Sequence, residues 1–558
     1  MKRIVWKRLA AALLLLAVWI MPTAWAGPGY IDAVPVRTGP APLLIEGAAG
    51  DDLDVLRAAL DQPVMYRLGE WQYTRGQYAG YPVVLCCSSV GVGNSAAATV
   101  LGIEAFQPAA VISQGTAQGM DAALQPLSIV LGAKSYNGNA WRSQPLDRGA
   151  GIDLKAVRME GTFSYQAAQD RFVQQLYHEG AAGLLAAAHT AAASYTDGPV
   201  VDGVIQSGDG RLEQPEQIKY LHAAYGASCE DGETDTVAQM CQVYGVPHLG
   251  IRIVARSVLT EAAPAARASQ GGQAYVLQVV RAYIAQQAQA AAAPGPVSTL
   301  RTQTYAHDRH PLLLAASEQS ELAYTVSQLE HPQTYTLGRW HYTAGTWQGQ
   351  PMVIAHTAPG IGNTAAAIAL AVDFFRPAAI LHQGTAGSHD PALAVGTIVL
   401  GERSTNSSIW RSAEPGQADA ARIAALAQQG VFVYVPEQDA FAAKTYHPAD
   451  AGLLAAADAA RADFPGQAVA HGTLSSSDEW NEQADRILFL HDTFGTSSED
   501  RATDGAAQTA ICYGLPWLGI DILTSSAVED TDQEPMSASL TERCQEYVLA
   551  TIRHYRQH

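Results

Sequence analysis

Two glycine-rich turns, SSVGVGNSAAA and TAPGIGNTAAA, set Gly91 and Gly93, and Gly360 and Gly362, between an apolar run and an alanine-rich stretch. Free N–H groups at a helix start of this kind can face a polar ligand, and tight strand-to-helix packing is the other use of glycine there. Two further turns, ISQGTA at 112–117 and LHQGTA at 381–386, put Thr116 and Thr385 at the ends of apolar runs. A hydroxyl there can hold a sugar hydroxyl or a water, or cap a helix. Asp235 and Asp504 lie in a shared TDxxAQ stretch, either as candidate proton donors or as first-turn acids favoured by the helix dipole. Trp480 offers a ring for stacking on a base or for burial. The sixteen histidines show no HExxH or other clustered ligand spacing, so the sequence predicts neither a metal site nor a cofactor.

The elements that must hold these residues come in duplicate. LGEWQYTRG at 68–76 returns as LGRWHYTAG at 337–345, FQPAAVISQGTA returns as FRPAAILHQGTA, and Trp141-Arg142-Ser143 returns as Trp410-Arg411-Ser412. Each pair is offset by 269 positions (385 − 116 = 269 for the threonines). One constant offset means a duplicated domain, not a short solenoid repeat. The reading is a domain at 41–287, a linker at 288–308 with Ala, Gln, Pro and Gly but no periodicity, and a second domain at 309–558. Within each copy short β-rich runs alternate with helical ones, which predicts an α/β fold with a parallel or mixed central sheet. Ligands of such folds sit at the C-terminal ends of strands, where the glycine turns fall.

Met1-Lys2-Arg3, the apolar run from Leu9 to Met21 and Ala24-Trp25-Ala26 have the order of a signal peptide cleaved after Ala26. The mature protein is therefore expected in the periplasm or outside the cell. No later stretch reaches the ~18 to 20 apolar residues of a membrane span, so no membrane association is expected after cleavage. A net charge of −19 argues against nucleic acid as a partner. In an oxidising compartment Cys229 and Cys241 are near enough in sequence to bridge, while Cys86 and Cys87, inside an apolar strand, read as buried thiols.

The order of motifs resembles the nucleoside phosphorylase superfamily: strand, GIGN, helix, PAA…QGTAG, VGTIVLGE, an SGD strand, then an acidic cluster before a helix ending in GVP. Within it the pattern looks most like the methylthioadenosine/S-adenosylhomocysteine nucleosidases. The resemblance implies two tandem three-layer α/β/α domains with mixed sheets, pairing as an internal pseudo-dimer, and a small-molecule nucleoside as ligand. Carried over residue by residue, it puts the carboxylate that orients the attacking water on Asp52 and Glu321. It puts the ribose-side turn on Thr116 and Thr385, and the strand-end aspartate near the purine on Asp209 and Asp478. The glutamate that holds the 2′ and 3′ hydroxyls falls on Glu233, and on Ala502 in the second copy.

The family's aspartate that protonates the purine falls on Arg256 and Ser525. General acid catalysis is typically worth ~10²- to 10⁴-fold, so its absence matters. Glu261, Glu529, Asp530, Asp521, Asp235 and Asp504 are the replacements on hand. The resemblance thus implies a purine nucleoside or thionucleoside hydrolase working through the first half. The alternative it leaves is a non-catalytic nucleoside-binding or storage protein on the same fold. Phosphorolysis fits less well, because Asp51, Asp52 and Asp54, or Glu318 and Glu321, would repel phosphate. No role follows for Arg142 or Arg411.

Overall fold

A computed structural model describes residues 29–153, 156–260, 265–288, 295–306, 308–411, 427–528 and 538–556. The signal peptide, Glu261, Glu529, Asp530 and the Arg411 side chain lie outside the described residues.

In the first half the strand Leu43–Gly47 pairs in parallel with Tyr81–Cys87 on one side and Ala110–Gly119 on the other. Ala110–Gly119 runs parallel to His248–Arg256, which lies antiparallel to Ile129–Asn137. Ile129–Asn137, Val200–Ser207 and Ala227–Asp231 then follow in parallel, and Ala227–Asp231 closes antiparallel onto the tip of Ala110–Gly119. The result is a ten-stranded mixed sheet, and the second half repeats it. Strand C-termini from three directions therefore converge around the tip that carries Gly115 and Thr116.

Alternation along the strands explains how each sheet is covered. Leu43 and Ile45 pack outward against Val276 and Val279 of the helix Ala265–Gln287. Leu44 points the other way, toward Val100 of the helix Val92–Phe106 and Val237 of Thr234–Tyr244. The second half has its own outer core, with Leu312 and Leu314 against Tyr547 and Val548. The inner faces do not stay separate. Ala96, Ala97, Val100 and Leu101 share one cluster with Ala365, Ala366, Ile368 and Ala369.

Every residue of the helix Val92–Phe106 is buried, and all but Phe374 of its counterpart Ile361–Phe375. Such helices have no solvent face to offer, and the alanine clusters SAAA and TAAA let the two approach. Each carries one buried acid that anchors the chain leading into a domain. Glu104 accepts hydrogen bonds from Ser298 Oγ (2.7 Å), Thr299 Oγ1 (2.5 Å), the Leu300 N–H (3.2 Å) and Tyr244 OH (2.9 Å). Asp373 accepts the Ile31 N–H at 3.2 Å. Ile31 and Leu300 are themselves one repeat apart (300 − 31 = 269), so each lead-in segment packs on one of the paired helices.

Cys229 and Cys241 do not bridge: both are free, and they occupy different hydrophobic clusters. Cys229 points from its strand into the small cluster with Ile205 and Val254, whereas Cys241 faces the core shared by the halves. Among the described residues no helix is long and apolar enough to cross a membrane.

Candidate functional site

In the first half Asp52 sits on the short 3-10 turn Gly50–Leu53 that follows the strand Leu43–Gly47. Its carboxylate accepts the Ala49 N–H at 3.2 Å and the Ser269 hydroxyl at 3.4 Å. Its carbonyl accepts from Gln114 Nε2 at 2.7 Å, which ties the turn to the glycine-threonine strand. Burial pushes the Asp52 carboxyl above its ordinary range. Directly opposite stands Arg252, only 1% exposed. Its Nη2 donates to Ser113 Oγ at 2.8 Å and lies 3.6 Å from Glu233, and its Nε donates to Asp231.

Gly115 is where these groups meet. A Cβ added there would lie 3.8 Å from Arg252 and 4.0 Å from the Asp52 carboxylate, so glycine leaves the space between them open. Thr116 follows, half-buried. Glu233 stands at the first position before the helix Thr234–Tyr244 without a side-chain capping bond, and burial, then Asp231, raises its pKa although Arg252 opposes the shift. Asp52, Thr116 and Glu233 thus stand on three separate elements, with Arg252 as the cation near both carboxylates.

The second half keeps the frame and changes the charges. Glu321 takes the place of Asp52 and accepts the Thr385 N–H and hydroxyl, each at 2.8 Å. Burial pushes its carboxyl up to about 7. Ser113, Arg252 and Glu233 are replaced by His382, Asp521 and Ala502. A cavity of about 860 Å³ opens beside the turn, lined by Glu321, Thr385, Trp480, Glu499, Arg501 and Ser525 among others. That volume suits a drug-sized ligand, for which pockets run ~300 to 1,000 Å³. Arg142, Leu146 and Phe163 of the first half complete its wall. Arg142 holds Glu482 with its guanidinium and stacks over Trp480, whose other close cation is Arg501.

Several residues singled out in the sequence are engaged elsewhere. Asp209 accepts the Val92 N–H at 2.8 Å and Asn406 Nδ2 at 3.2 Å; Asp478 accepts the Ile361 N–H at 3.1 Å and Asn137 Nδ2 at 2.8 Å. Each therefore caps its own half's inner helix and ties the halves together, and burial raises Asp209 to about 7. Gly91 and Gly360 serve these caps: at φ +104° and +113° they adopt a backbone that favours glycine, and a Cβ would lie 2.9 and 3.2 Å from the capping carboxylates. Gly93 and Gly362 face the opposite half, where a Cβ would meet Gln508 at 2.0 Å and Gln239 at 3.3 Å. Asp235 and Asp504 are buried partners of Ser135 and His178, and of Ser404 and His447.

At the family's acid position Arg256 pairs with Glu213 at 3.0 Å, and Arg211 reaches the same carboxylate at 2.9 Å. Next to them lies an acid that sequence reasoning missed. Glu230 faces Gln118, Gln206 and the Leu212 N–H, and burial pushes it up to about 8. It borders a small cavity of about 30 Å³, room for a single water. Its counterpart Glu499 lines the large cavity, held by His389 at 2.8 Å and Asn481 at 2.7 Å.

Residues 42–290 and 312–554 each match the family model described as the phosphorylase superfamily. The chain is 26% identical over 210 residues to the 5′-methylthioadenosine/S-adenosylhomocysteine nucleosidase of Halalkalibacterium halodurans, covering 37% of this chain and 82% of that protein. It is 26% identical over 211 residues to the enzyme of the same name from Lysinibacillus sphaericus, covering 38% and 84%. A solved nucleosidase of that type from Colwellia psychrerythraea, in complex with adenine, aligns with a TM-score of 0.36 and 21% identity over 44% of this chain and 96% of that one. The chain belongs to the phosphorylase superfamily, as two tandem copies of its domain.

Proposed function

We propose that this protein is an extracytoplasmic nucleosidase that hydrolyses the N-glycosidic bond of a purine nucleoside or thionucleoside in its first half. The observation that carries the reading is that Asp52 and Arg252 border the open space above Gly115 while Glu233 lies 3.6 Å from the same guanidinium. In this reading Asp52 orients a water toward the anomeric carbon and takes up the proton that water loses as its oxygen bonds there, and Glu233 accepts hydrogen bonds from the ribose diol. Arg252 holds the Glu233 carboxylate nearby while balancing Asp231. Glu230, whose carboxyl holds its proton more tightly because it is buried, supplies the proton that the leaving base takes up, in place of the aspartate whose position Arg256 occupies. The acids of the first loop favour water over phosphate as the nucleophile.

The tandem halves act as an internal pseudo-dimer in this reading, supported by the exchange of Asp209–Asn406 and Asp478–Asn137 bonds and by the first-half residues in the second cavity. The N-terminal signal pattern supports export.

A second reading, a nucleoside-binding protein without turnover, is favoured by one observation: an arginine paired to Glu213 stands where the family has its acid. Incubation with adenosine, inosine, methylthioadenosine and S-adenosylhomocysteine, with and without phosphate, separates the two. The nucleosidase reading expects free base without phosphate, abolished by Glu233→Ala. Nucleoside binding with no base from any of the four substrates rejects it in favour of the second.

A further inference from the structure

Beneath the floor of the second cavity, His382, Asp500 and Asp521 each offer a ligand atom within 4.8 Å of the others. In the first half the same three positions are Ser113, Asp231 and Arg252, and the guanidinium there donates to both neighbours. Exchanging that arginine for an aspartate removes an internal cation and adds a carboxylate. The second half then gathers Glu321, Asp500 and Asp521 around one point. Among the described residues no lysine or arginine forms an ion pair with Asp500 or Asp521.

Two atoms of this cluster are poised and unused. Asp521 is 0% exposed and His382 1%. Asp521 Oδ2 accepts from Ser498 Oγ at 2.8 Å, while Asp521 Oδ1 and His382 Nε2 have no hydrogen-bond partner among the described residues. Buried polar atoms are nearly always satisfied. His382 Nδ1 meets Thr503 Oγ1 at 2.8 Å, and that hydroxyl donates to Asp500 Oδ2 at 2.8 Å. This relay places the imidazole proton on Nδ1 and leaves the Nε2 lone pair free, the arrangement in which a neighbouring group orients a metal-binding histidine. Above the cluster Gly384 leaves an open spot. A Cβ there would lie 3.7 Å from Glu321 Oε1, 3.8 Å from His382 Cε1 and 3.9 Å from Asp500 Oδ2. Glu321, Gly384 and Asp500 also line the cavity, which gives an ion a way in.

We infer that His382, Asp500 and Asp521, with Glu321 beside them, bind one divalent transition-metal ion that replaces the buried arginine of the first half. One imidazole nitrogen with carboxylate oxygens is a donor set for Zn²⁺ or Mn²⁺, since imidazole favours the former and carboxylates the latter. Metal–ligand bonds of ~2.0 to 2.2 Å require these atoms to draw in slightly around the ion. The ion lies under the pocket floor, so it places positive charge beneath a ligand in the second half. The inference does not depend on turnover in the first half.

The test uses the full mature chain, stripped with chelator, equilibrated with Zn²⁺ or Mn²⁺, passed through a desalting column and assayed for metal content and thermal midpoint. About one ion per chain is expected to be retained, with a raised midpoint, because an ion that binds only the folded chain stabilises it. Asp521→Asn should retain at least about tenfold less. The double variant His382→Ser with Asp521→Arg copies the first half; it should retain no ion and melt, metal-free, at or above stripped wild type. Retention unchanged in these variants, retention of Mg²⁺ or Ca²⁺ alone, or no retention with no shift in midpoint would each overturn the inference.

Discussion

The two halves share a frame and differ in how they neutralise the same buried place. In the first, Arg252 sits among Asp231, Glu233 and Asp52, a cation built into the strand His248–Arg256. In the second, Asp521 stands on the equivalent strand and His382 on its neighbour, and Ala502 stands where the first half has Glu233. Duplication leaves one copy free to change charge while the other keeps a set of groups that must work together. The second pocket remains large and reaches across to Arg142 and Phe163 of the first half.

The largest test of this contrast concerns the acids. Glu230→Gln keeps shape but removes the proton, and base release should fall ~10²- to 10⁴-fold, the usual worth of a general acid. Glu499→Gln, the same change in the second half, should leave turnover unaltered in the same product assay.

Next in size is Arg252→Ala. Removing the cation leaves Asp231 and Glu233 buried without it, a change that typically costs about 3 to 5 kcal/mol, readable by urea unfolding. Asp521→Asn, by contrast, relieves repulsion between Asp521 and Asp500 and should raise the stability of chelator-stripped protein. Equal losses in both would break the contrast between an internal cation and a missing one.

Smaller, and equal in the two halves, is the effect of crowding the inner helices. Ala97→Leu and Ala366→Leu each insert bulk where alanine lets the helices meet, and overpacking costs typically 1 to 3 kcal/mol. Both should lower the single unfolding midpoint of the whole chain; loss of one half alone would show the halves unfold independently.

The last is a pH effect. Burial raises the Glu321 carboxyl from 4.5 to about 7, so the folded chain binds its proton more tightly than the unfolded one. That contribution is full below the unfolded value and is lost as pH rises through about 7. Metal-free wild type should therefore lose more stability between about pH 5 and 8 than Glu321→Gln does, measured by thermal unfolding at each pH.

Much of the fold was legible because a duplicated chain compares itself: the 269-residue offset gave the tandem architecture, and the glycine-threonine turns marked where strand ends converge. Asp52, Thr116 and Glu233 were named through motif order; they stand on three separate elements, the two carboxylates within reach of Arg252. What escaped was the partner of each carboxylate. Asp209 and Asp478 are acids at strand ends, as a purine-side acid would be, but the groups that claim them are helix N–H groups and asparagines of the other half, 117 to 341 positions away along the chain. Glu230 was missed because what sets its proton affinity is burial, which no dipeptide displays. SAAATVLGIEAF did carry an unread signal: with no polar stripe, that helix had to be buried on every side.

The central claim is that the first half cleaves and the second does not. Base release from methylthioadenosine should be measured side by side for wild type, Asp52→Asn and Glu321→Gln at equal folded concentration. The account predicts loss of release in Asp52→Asn and wild-type release in Glu321→Gln. Release that survives Asp52→Asn and disappears in Glu321→Gln would contradict it.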